Sequence, residues 1–127
     1  MKPEIACVLT SARKNGYTAG LLKKAVELLE GEGCAVHMVY LHDYVIAPCK
    51  SCFACIKGER HTCGLPDDFG RNGEGELFQL IQSVDGVLVA DPVYSFGATA
   101  ACHLFFERCY PYLWSGKIKG KPLASIS

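Results

Sequence analysis

Four cysteines fall within sixteen residues of the chain, in the stretch PCKSCFACIKGERHTC at residues 48–63. Cys49, Cys52, Cys55 and Cys63 have the spacing C-x2-C-x2-C-x7-C. Thiolates ligate zinc and iron-sulfur clusters, and two cysteines separated by two residues can also form a redox disulfide. Structural zinc sites more often contain two separated C-x2-C pairs, so this spacing favours a cluster. The residues alone leave open zinc held by four thiolates, a disulfide, and thiols without a role.

A second candidate site is the polar segment TSARKNGYT, residues 10–18, which lies between an apolar run and a helical pattern. The N-terminus of a helix, together with hydroxyls and a guanidinium, can hold a phosphate monoester without a metal. No Gly-Lys-Ser/Thr sequence ends the segment, which disfavours a nucleotide triphosphate with Mg²⁺. The alternative is that Thr18 only caps the helix and the cations are solvated. The segment offers Ser11, Arg13, Lys14, Asn15, Gly16, Tyr17 and Thr18.

A third candidate is the loop DPVYSFG, residues 91–97. It places Tyr94 and Phe96 beside Pro92 and Gly97, so a planar ring could lie against backbone and an aromatic side chain. The alternative is a turn whose aromatic side chains belong to the core.

The elements around these loops indicate a parallel α/β sheet. Apolar runs at residues 4–9, 34–41, 86–90 and 122–127 alternate with helical patterns, among them Leu77–Ser83 and Ala98–Tyr110. Strands that are apolar on both faces are covered by helices on both sides. In the order 2-1-3-4-5, the loops after strands one and three border the point where ligands bind. A phosphate cradle and a ring platform at one sheet edge together indicate flavin mononucleotide (FMN).

Composition excludes several classes of function. The 127 residues predict one domain, and thirteen basic against thirteen acidic residues leave no net charge to attract nucleic acid or an anionic membrane. The apolar run Ile5–Leu9 is too short for a signal peptide, and no later segment approaches a membrane span. A cytoplasmic protein is therefore expected, in which eight cysteines indicate metal or redox chemistry rather than a disulfide framework.

Three segments resemble the NADPH-dependent FMN reductase family and, within it, most closely the iron-sulfur flavoproteins. They are TSARKNGYTAGLLKKAVELLEGEG, LHDYVIAPCKSCFACIKGERHTCGLPDD and ADPVYSFGATAACHLFFER. The resemblance implies a flavodoxin-like, doubly wound parallel sheet with strand order 2-1-3-4. It also implies an FMN phosphate loop, a loop that lines the isoalloxazine, and a cysteine motif for a [4Fe-4S] cluster. The implied residues are Ser11, Arg13, Asn15, Gly16, Tyr17 and Thr18 for the phosphate, Pro92, Val93, Tyr94, Ser95, Phe96 and Gly97 for the ring, and Cys49, Cys52, Cys55 and Cys63 for the cluster.

The resemblance also predicts where the chain departs from its family. The sequence ends at PLASIS, whereas the family continues with a third flavin loop, a fifth strand and a last helix. We therefore expect residues 1–127 to be a flavodoxin-like domain that is C-terminally incomplete, with the cysteine loop at 48–63. The fourth strand would then be a bare edge.

The expected function is an FMN-dependent oxidoreductase that passes electrons between FMN and a [4Fe-4S] cluster, with no acid-base catalytic residue. Ferredoxin or NAD(P)H is the expected donor, and a homodimer or higher oligomer the expected assembly. Two alternatives stay open, a cluster-free NAD(P)H-dependent FMN or quinone reductase and a non-catalytic flavin redox sensor or electron carrier. A further expectation is a structural ion pair for Glu107 and Arg108. The four histidines show no spacing that makes a ligand set, and a hydrogen bond from His61 to a cluster sulfur is the less favoured alternative for that residue.

Overall fold

A computed structural model describes residues 2–127 of the chain. Four strands form the sheet, and five α-helices surround it. The strands are β1 (Glu4–Leu9), β2 (Ala35–Tyr40), β3 (Gly86–Ala90) and β4 (Leu123–Ile126). The helices are α1 (Tyr17–Gly31), α2 (Ala54–Lys57), α3 (Glu76–Ser83), α4 (Ala100–Arg108) and α5 (Tyr110–Ser115).

All strand pairs are parallel, in the order β2-β1-β3-β4. This is the predicted flavodoxin-like order, and it is confirmed. Leu9 at the end of β1 pairs with Ala90 at the end of β3. The backbone N–H of Thr10 extends this pairing, since it donates to the Ala90 carbonyl at 3.0 Å. The loops that follow β1 and β3 therefore leave the sheet side by side.

Apolar side chains cover both faces of the sheet, as the two-sided strands require. On one face, Ala19 and Leu22 of α1 pack against Cys7, Leu9 and Ala90. On the other face, residues of α3, α4 and α5 enclose the larger cluster. Its members include Phe69, Leu77, Phe78, Ile81, Phe105 and Tyr112. Within the described residues, no helix combines the length and apolar character that a membrane crossing requires.

Strand β4 occupies the edge of the sheet next to β3, as predicted. Three of its four residues are exposed, and Leu123 keeps 59% of its surface accessible. An unpaired parallel edge presents free backbone donors and acceptors.

The helix predicted at about Ala98–Tyr110, with a break at Pro111, is two residues shorter at each end, and a second helix that was not predicted follows it. The structure has two helices, α4 from Ala100 to Arg108 and α5 from Tyr110 to Ser115. Pro111 lies in the first turn of α5, where the missing N–H of proline has no helical partner to lose. The proline therefore begins a new helix here. The α3 prediction is confirmed to within one residue.

Candidate functional site

The loop after β1 leads into the N-terminus of helix α1, which no side chain caps. Helix α1 begins at Tyr17, with Gly16 as the residue before it, and no side chain caps its first turn. No acidic residue lies in that turn. The first backbone N–H groups and the positive end of the helix dipole are therefore available to an anion. The alternative role for Thr18 as a cap is wrong, because Thr18 lies inside the helix.

Some side chains of this loop form ion pairs or hydrogen bonds with other residues, and others do not. Lys14 pairs with Asp43 at 2.7 Å and lies over the Tyr40 ring. The Asn15 side-chain oxygen accepts a hydrogen bond from Lys23 at 3.0 Å. Arg13, in contrast, has no carboxylate partner among residues 2–127. It is the unpaired cation beside the helix N-terminus.

The side chain of Arg13 is exposed and lies beside Gly16. The Ser11 hydroxyl accepts the backbone N–H of Arg13 at 3.0 Å, which turns the chain before the helix. The guanidinium carbon of Arg13 lies 3.4 Å from the position that a Cβ at Gly16 would take, which is ordinary van der Waals distance. The guanidinium of Arg13 therefore lies next to the backbone at the start of α1.

A partly buried carboxylate, Asp91, connects the two loops at the end of the sheet. Its Oδ1 accepts from the Thr10 hydroxyl at 2.5 Å and from the Thr99 hydroxyl at 2.7 Å. Thr99 in turn caps α4 by accepting the backbone N–H of Cys102 at 3.0 Å. Sequence reasoning did not find these three positioning residues. The available signal was an acid at the end of one apolar strand and a threonine at the end of its neighbour.

The loop after β3 forms a tight turn that projects an aromatic ring. Tyr94 and Gly97 exchange two backbone hydrogen bonds at 3.0 and 3.1 Å. Between them Ser95 and Phe96 have φ values of 49° and 68°, a left-handed conformation that is costly for residues other than glycine. The Phe96 side chain is fully exposed and Tyr94 is 46% exposed. The alternative of core aromatics in this turn is therefore wrong.

The two predicted flavin loops touch through side chains. The hydroxyls of Ser11 and Tyr94 lie 3.3 Å apart. The structure thus brings together the predicted phosphate loop and the predicted ring loop. The remaining predicted residues of these loops lie on the same end of the sheet, at Asn15, Gly16, Tyr17, Thr18, Pro92, Val93, Ser95, Phe96 and Gly97.

All four motif cysteines line one cavity of about 270 Å³. Cys49 and Cys52 are exposed, Cys55 and Cys63 are partly buried, and all are free thiols. The backbone bends sharply around them, with positive φ at Ser51, Phe53 and His61. The structure therefore gathers the predicted set, Cys49, Cys52, Cys55 and Cys63, around one space.

The thiols interact electrostatically within this cavity. Burial is the largest cause that raises the pKa of Cys55, and the negative charges of Cys63, Cys49 and Cys52 raise it further. Among residues 2–127, no three His, Cys, Asp or Glu side chains are arranged to hold a single metal ion. His61 contacts the cysteine loop through its Nδ1, which lies 2.7 Å from the Cys55 carbonyl oxygen.

The expected pairing role of Glu107 and Arg108 needs correction. Arg108 is buried and forms a two-pronged ion pair with Asp67, at 2.5 and 2.9 Å. Glu107 instead accepts the backbone N–H of Cys49 at 3.0 Å. Local spacing could not reveal the Arg108 partner, since Asp67 lies 41 residues earlier in the chain.

The residues present fit both groups that the sequence predicts. An uncapped helix start, the Ser11 hydroxyl and an unpaired Arg13 form a cradle for a phosphate monoester. Four free thiols around one cavity supply the donor set of a [4Fe-4S] cluster.

This parallel fold with binding loops at the carboxyl end of the sheet defines a flavodoxin-like protein. A model of the NADPH-dependent FMN reductase family matches residues 3–127, and the chain belongs to that family.

Relatives and solved structures agree with this assignment. The chain is 35% identical over 120 residues to an iron-sulfur flavoprotein of Archaeoglobus fulgidus, covering 94% of this chain and 51% of the relative. It is 28% identical over 105 residues to an iron-sulfur flavoprotein of Methanosarcina thermophila, covering 83% and 51%. The chain thus spans about half the length of these curated relatives.

Two flavoenzyme structures share the fold. FerB, a flavoenzyme NAD(P)H:(acceptor) oxidoreductase from Paracoccus denitrificans, superposes with a TM-score of 0.65 at 22% identity, covering 98% of this chain and 59% of FerB. RosB with bound 8-demethyl-8-formylriboflavin-5'-phosphate superposes with a TM-score of 0.63 at 24% identity, covering 85% and 42%.

Proposed function

We propose that the protein is an FMN-dependent electron-transfer oxidoreductase that passes electrons between FMN and a [4Fe-4S] cluster. The observation that carries this proposal is the junction of the loops after β1 and β3, where Ser11 approaches Tyr94 beside an uncapped helix start. Membership of the NADPH-dependent FMN reductase family supports the flavin.

The phosphate of FMN binds at the start of α1 in this proposal. Backbone N–H groups from Gly16 onward face it, Arg13 neutralises its charge, and Ser11 and Thr18 donate hydroxyl hydrogen bonds. Asn15 and Tyr17 complete the loop. Asp91 fixes the distance between this cradle and the ring loop through Thr10 and Thr99.

The isoalloxazine lies against the turn of residues 92–97. The rigid turn between Tyr94 and Gly97 holds its backbone in place, and the exposed rings of Tyr94 and Phe96 offer apolar surface. Pro92, Val93 and Ser95 form the rest of this seat.

The cluster is held by Cys49, Cys52, Cys55 and Cys63. Their spacing and the shared cavity support this ligand set, as do the iron-sulfur flavoprotein names of the relatives. Bound FMN supplies two-electron and one-electron chemistry, and a cluster supplies one-electron chemistry. The chain provides anchoring, orientation and thiolates, and no side chain has to move a proton.

Ferredoxin or NAD(P)H delivers the electrons, and a homodimer or higher oligomer in the cytoplasm is the working form. Free thiols are consistent with a reducing compartment.

A cluster-free NAD(P)H-dependent FMN or quinone reductase is the second candidate. It is supported by the fold shared with FerB, which is a flavoenzyme NAD(P)H:(acceptor) oxidoreductase. A non-catalytic flavin redox sensor or electron carrier is the third, and it would show negligible steady-state turnover.

The test is anaerobic purification of the protein in its longest natural form, with iron, sulfide, zinc and flavin counted per protomer. About four irons and one FMN are expected, as a [4Fe-4S] cluster requires. FMN without iron would refute the cluster, and NAD(P)H oxidation by that protein would then distinguish the cluster-free reductase from the redox sensor. Protein without flavin would refute the proposed function.

A further inference from the structure

Two consecutive residues at the end of helix α4 hold both ends of the cysteine loop. Glu107 accepts the backbone N–H of Cys49 at 3.0 Å. Arg108 donates to the carbonyl of Ala47 at 2.7 Å and to the sulfur of Cys63 at 3.2 Å. The first and last motif cysteines are therefore both fixed to one helix turn.

The position of Arg108 is set by more than the cysteine. Only 2% of the surface of Arg108 is accessible, and both carboxylate oxygens of Asp67 accept hydrogen bonds from its guanidinium. Asp67 itself accepts the backbone N–H groups of Ala47 at 2.8 Å and Phe69 at 3.1 Å. A planar guanidinium held in this way has a fixed direction for each N–H.

An ion pair with Asp67 alone would not require contact with a thiol. The Nη2 atom of Arg108 donates to Asp67 and also to the Cys63 sulfur. Hydrogen bonds to ligand sulfurs and the charge around a cluster are among the factors that set its reduction potential. A cationic donor withdraws electron density from the thiolate and favours the reduced, more negative form of the cluster.

We propose that Arg108 is a positioning residue that holds Cys63 as the fourth cluster ligand and raises the reduction potential of the cluster. Asp67 is its anchor, because it fixes the plane of the guanidinium. This inference rests on the proposed function, since it assumes that a cluster is bound by Cys63.

The decisive variant is Arg108→Lys in the full protein. Lysine keeps a positive charge beside Asp67, but its single ammonium cannot reach Asp67, the Ala47 carbonyl and the Cys63 sulfur with fixed geometry. The matched control is Arg71→Lys. Arg71 pairs with Asp68 at 3.2 Å, is about half exposed, and donates to no cysteine.

The measurements are the midpoint potential of the cluster from an EPR-monitored redox titration, and the rate of iron loss to a chelator. We expect Arg108→Lys to keep its FMN, to shift the midpoint to a more negative potential and to lose iron several-fold faster. Arg71→Lys should match the wild type in both measurements. Unchanged potential and iron loss in folded Arg108→Lys would overturn the inference.

A double variant covers the case in which Arg108→Lys does not fold. Asp67→Asn combined with Arg108→Gln removes both charges and leaves neither ion buried without a partner. It should show the same negative shift of potential. If neither variant folds, Arg108 acts in stability alone and the inference is refuted. A wild-type protein that takes up no iron refutes the proposed cluster, whereas iron in the wild type with an unchanged variant refutes only the role of Arg108.

Discussion

The two candidate sites are attached to the fold in different ways. The flavin loops continue directly from β1 and β3, and Asp91 joins them where those strands end. The cysteine loop follows no strand directly, since the turn Leu41–Asp43 separates it from β2. It is held from outside, by Glu107 and Arg108 of α4.

The two sites are therefore preorganised in different ways, one by the sheet and the other by side chains. Strand ends fix backbone groups without help from side chains, which suits recognition of a phosphate by N–H groups. An irregular loop has few backbone constraints, so its thiols depend on a small number of side-chain anchors. We therefore expect single substitutions to act strongly on the cysteine loop and more weakly on the flavin loops.

The largest effect is expected from Cys52→Ser, which removes a cluster ligand. Iron content should fall to near zero while FMN stays bound, because the two sites share no ligand. Iron and flavin analysis of purified protein measures both. Cys34→Ser is the control, since Cys34 lies just before β2, away from the cavity of the motif, and should leave iron unchanged. Equal loss of FMN and iron in Cys52→Ser would show that the sites are not separate.

Asp67→Asn should cause the next largest effect. Burial tends to raise the pKa of Asp67, but hydrogen bonds from Arg108 and the Ala47 N–H lower it below its usual range. The variant leaves the buried Arg108 without a counter-charge, so we expect a loss of about 3–5 kcal/mol in the free energy of unfolding at pH 7.

The pH dependence of Asp67→Asn supplies a second check. A lowered folded pKa stabilises the protein above the unfolded value of about 4, and this stability is lost as the pH falls through the folded value. The difference in the free energy of unfolding between wild type and Asp67→Asn should therefore become smaller as the pH falls. Urea unfolding at several pH values measures this difference. Asp68→Asn is the control, because its partner Arg71 is about half exposed. A smaller loss for Asp67→Asn than for Asp68→Asn would contradict the anchoring role.

A smaller effect is expected at the phosphate loop. Arg13→Met should weaken FMN binding on the order of tenfold and make the affinity less dependent on salt. The reason is that the substitution removes a positive charge that contacts the phosphate. Lys14→Met should change the affinity much less, because Lys14 is engaged by Asp43. Flavin fluorescence titration at two salt concentrations measures both. Equal weakening by the two substitutions would place the phosphate elsewhere.

Much of the fold followed from local patterns in the sequence. Apolar runs on both faces predicted a parallel sheet, and its order 2-1-3-4 was confirmed. The loops after β1 and β3 were chosen as sites from their polar and aromatic residues, and the structure brings them together at Ser11 and Tyr94. These features can be predicted because hydrophobic periodicity depends on residues close in sequence. The strand order is further restricted by the right-handed crossover that parallel strands adopt.

The anchors of both sites did not follow from such patterns. Asp67 and Arg108 are 41 residues apart, and Thr10 and Asp91 are 81 apart. Nothing in local spacing marks such pairs, because they form only when the sheet and α4 are assembled. Helix α5 was missed for another reason. Proline was taken as the end of a helix, but it is also favoured in the first turn of one, and here Pro111 lies in the first turn of α5.

The most direct test of the central claim is electron flow between the two sites. Reduced ferredoxin is mixed rapidly with oxidised wild type and with Cys52→Ser, and flavin reduction is followed by absorbance. Electron transfer through the cluster predicts rapid flavin reduction in the wild type and a loss of that phase in Cys52→Ser, although FMN is still bound. Flavin reduction at the same rate in both proteins would contradict the claim that electrons reach FMN through the cysteine loop.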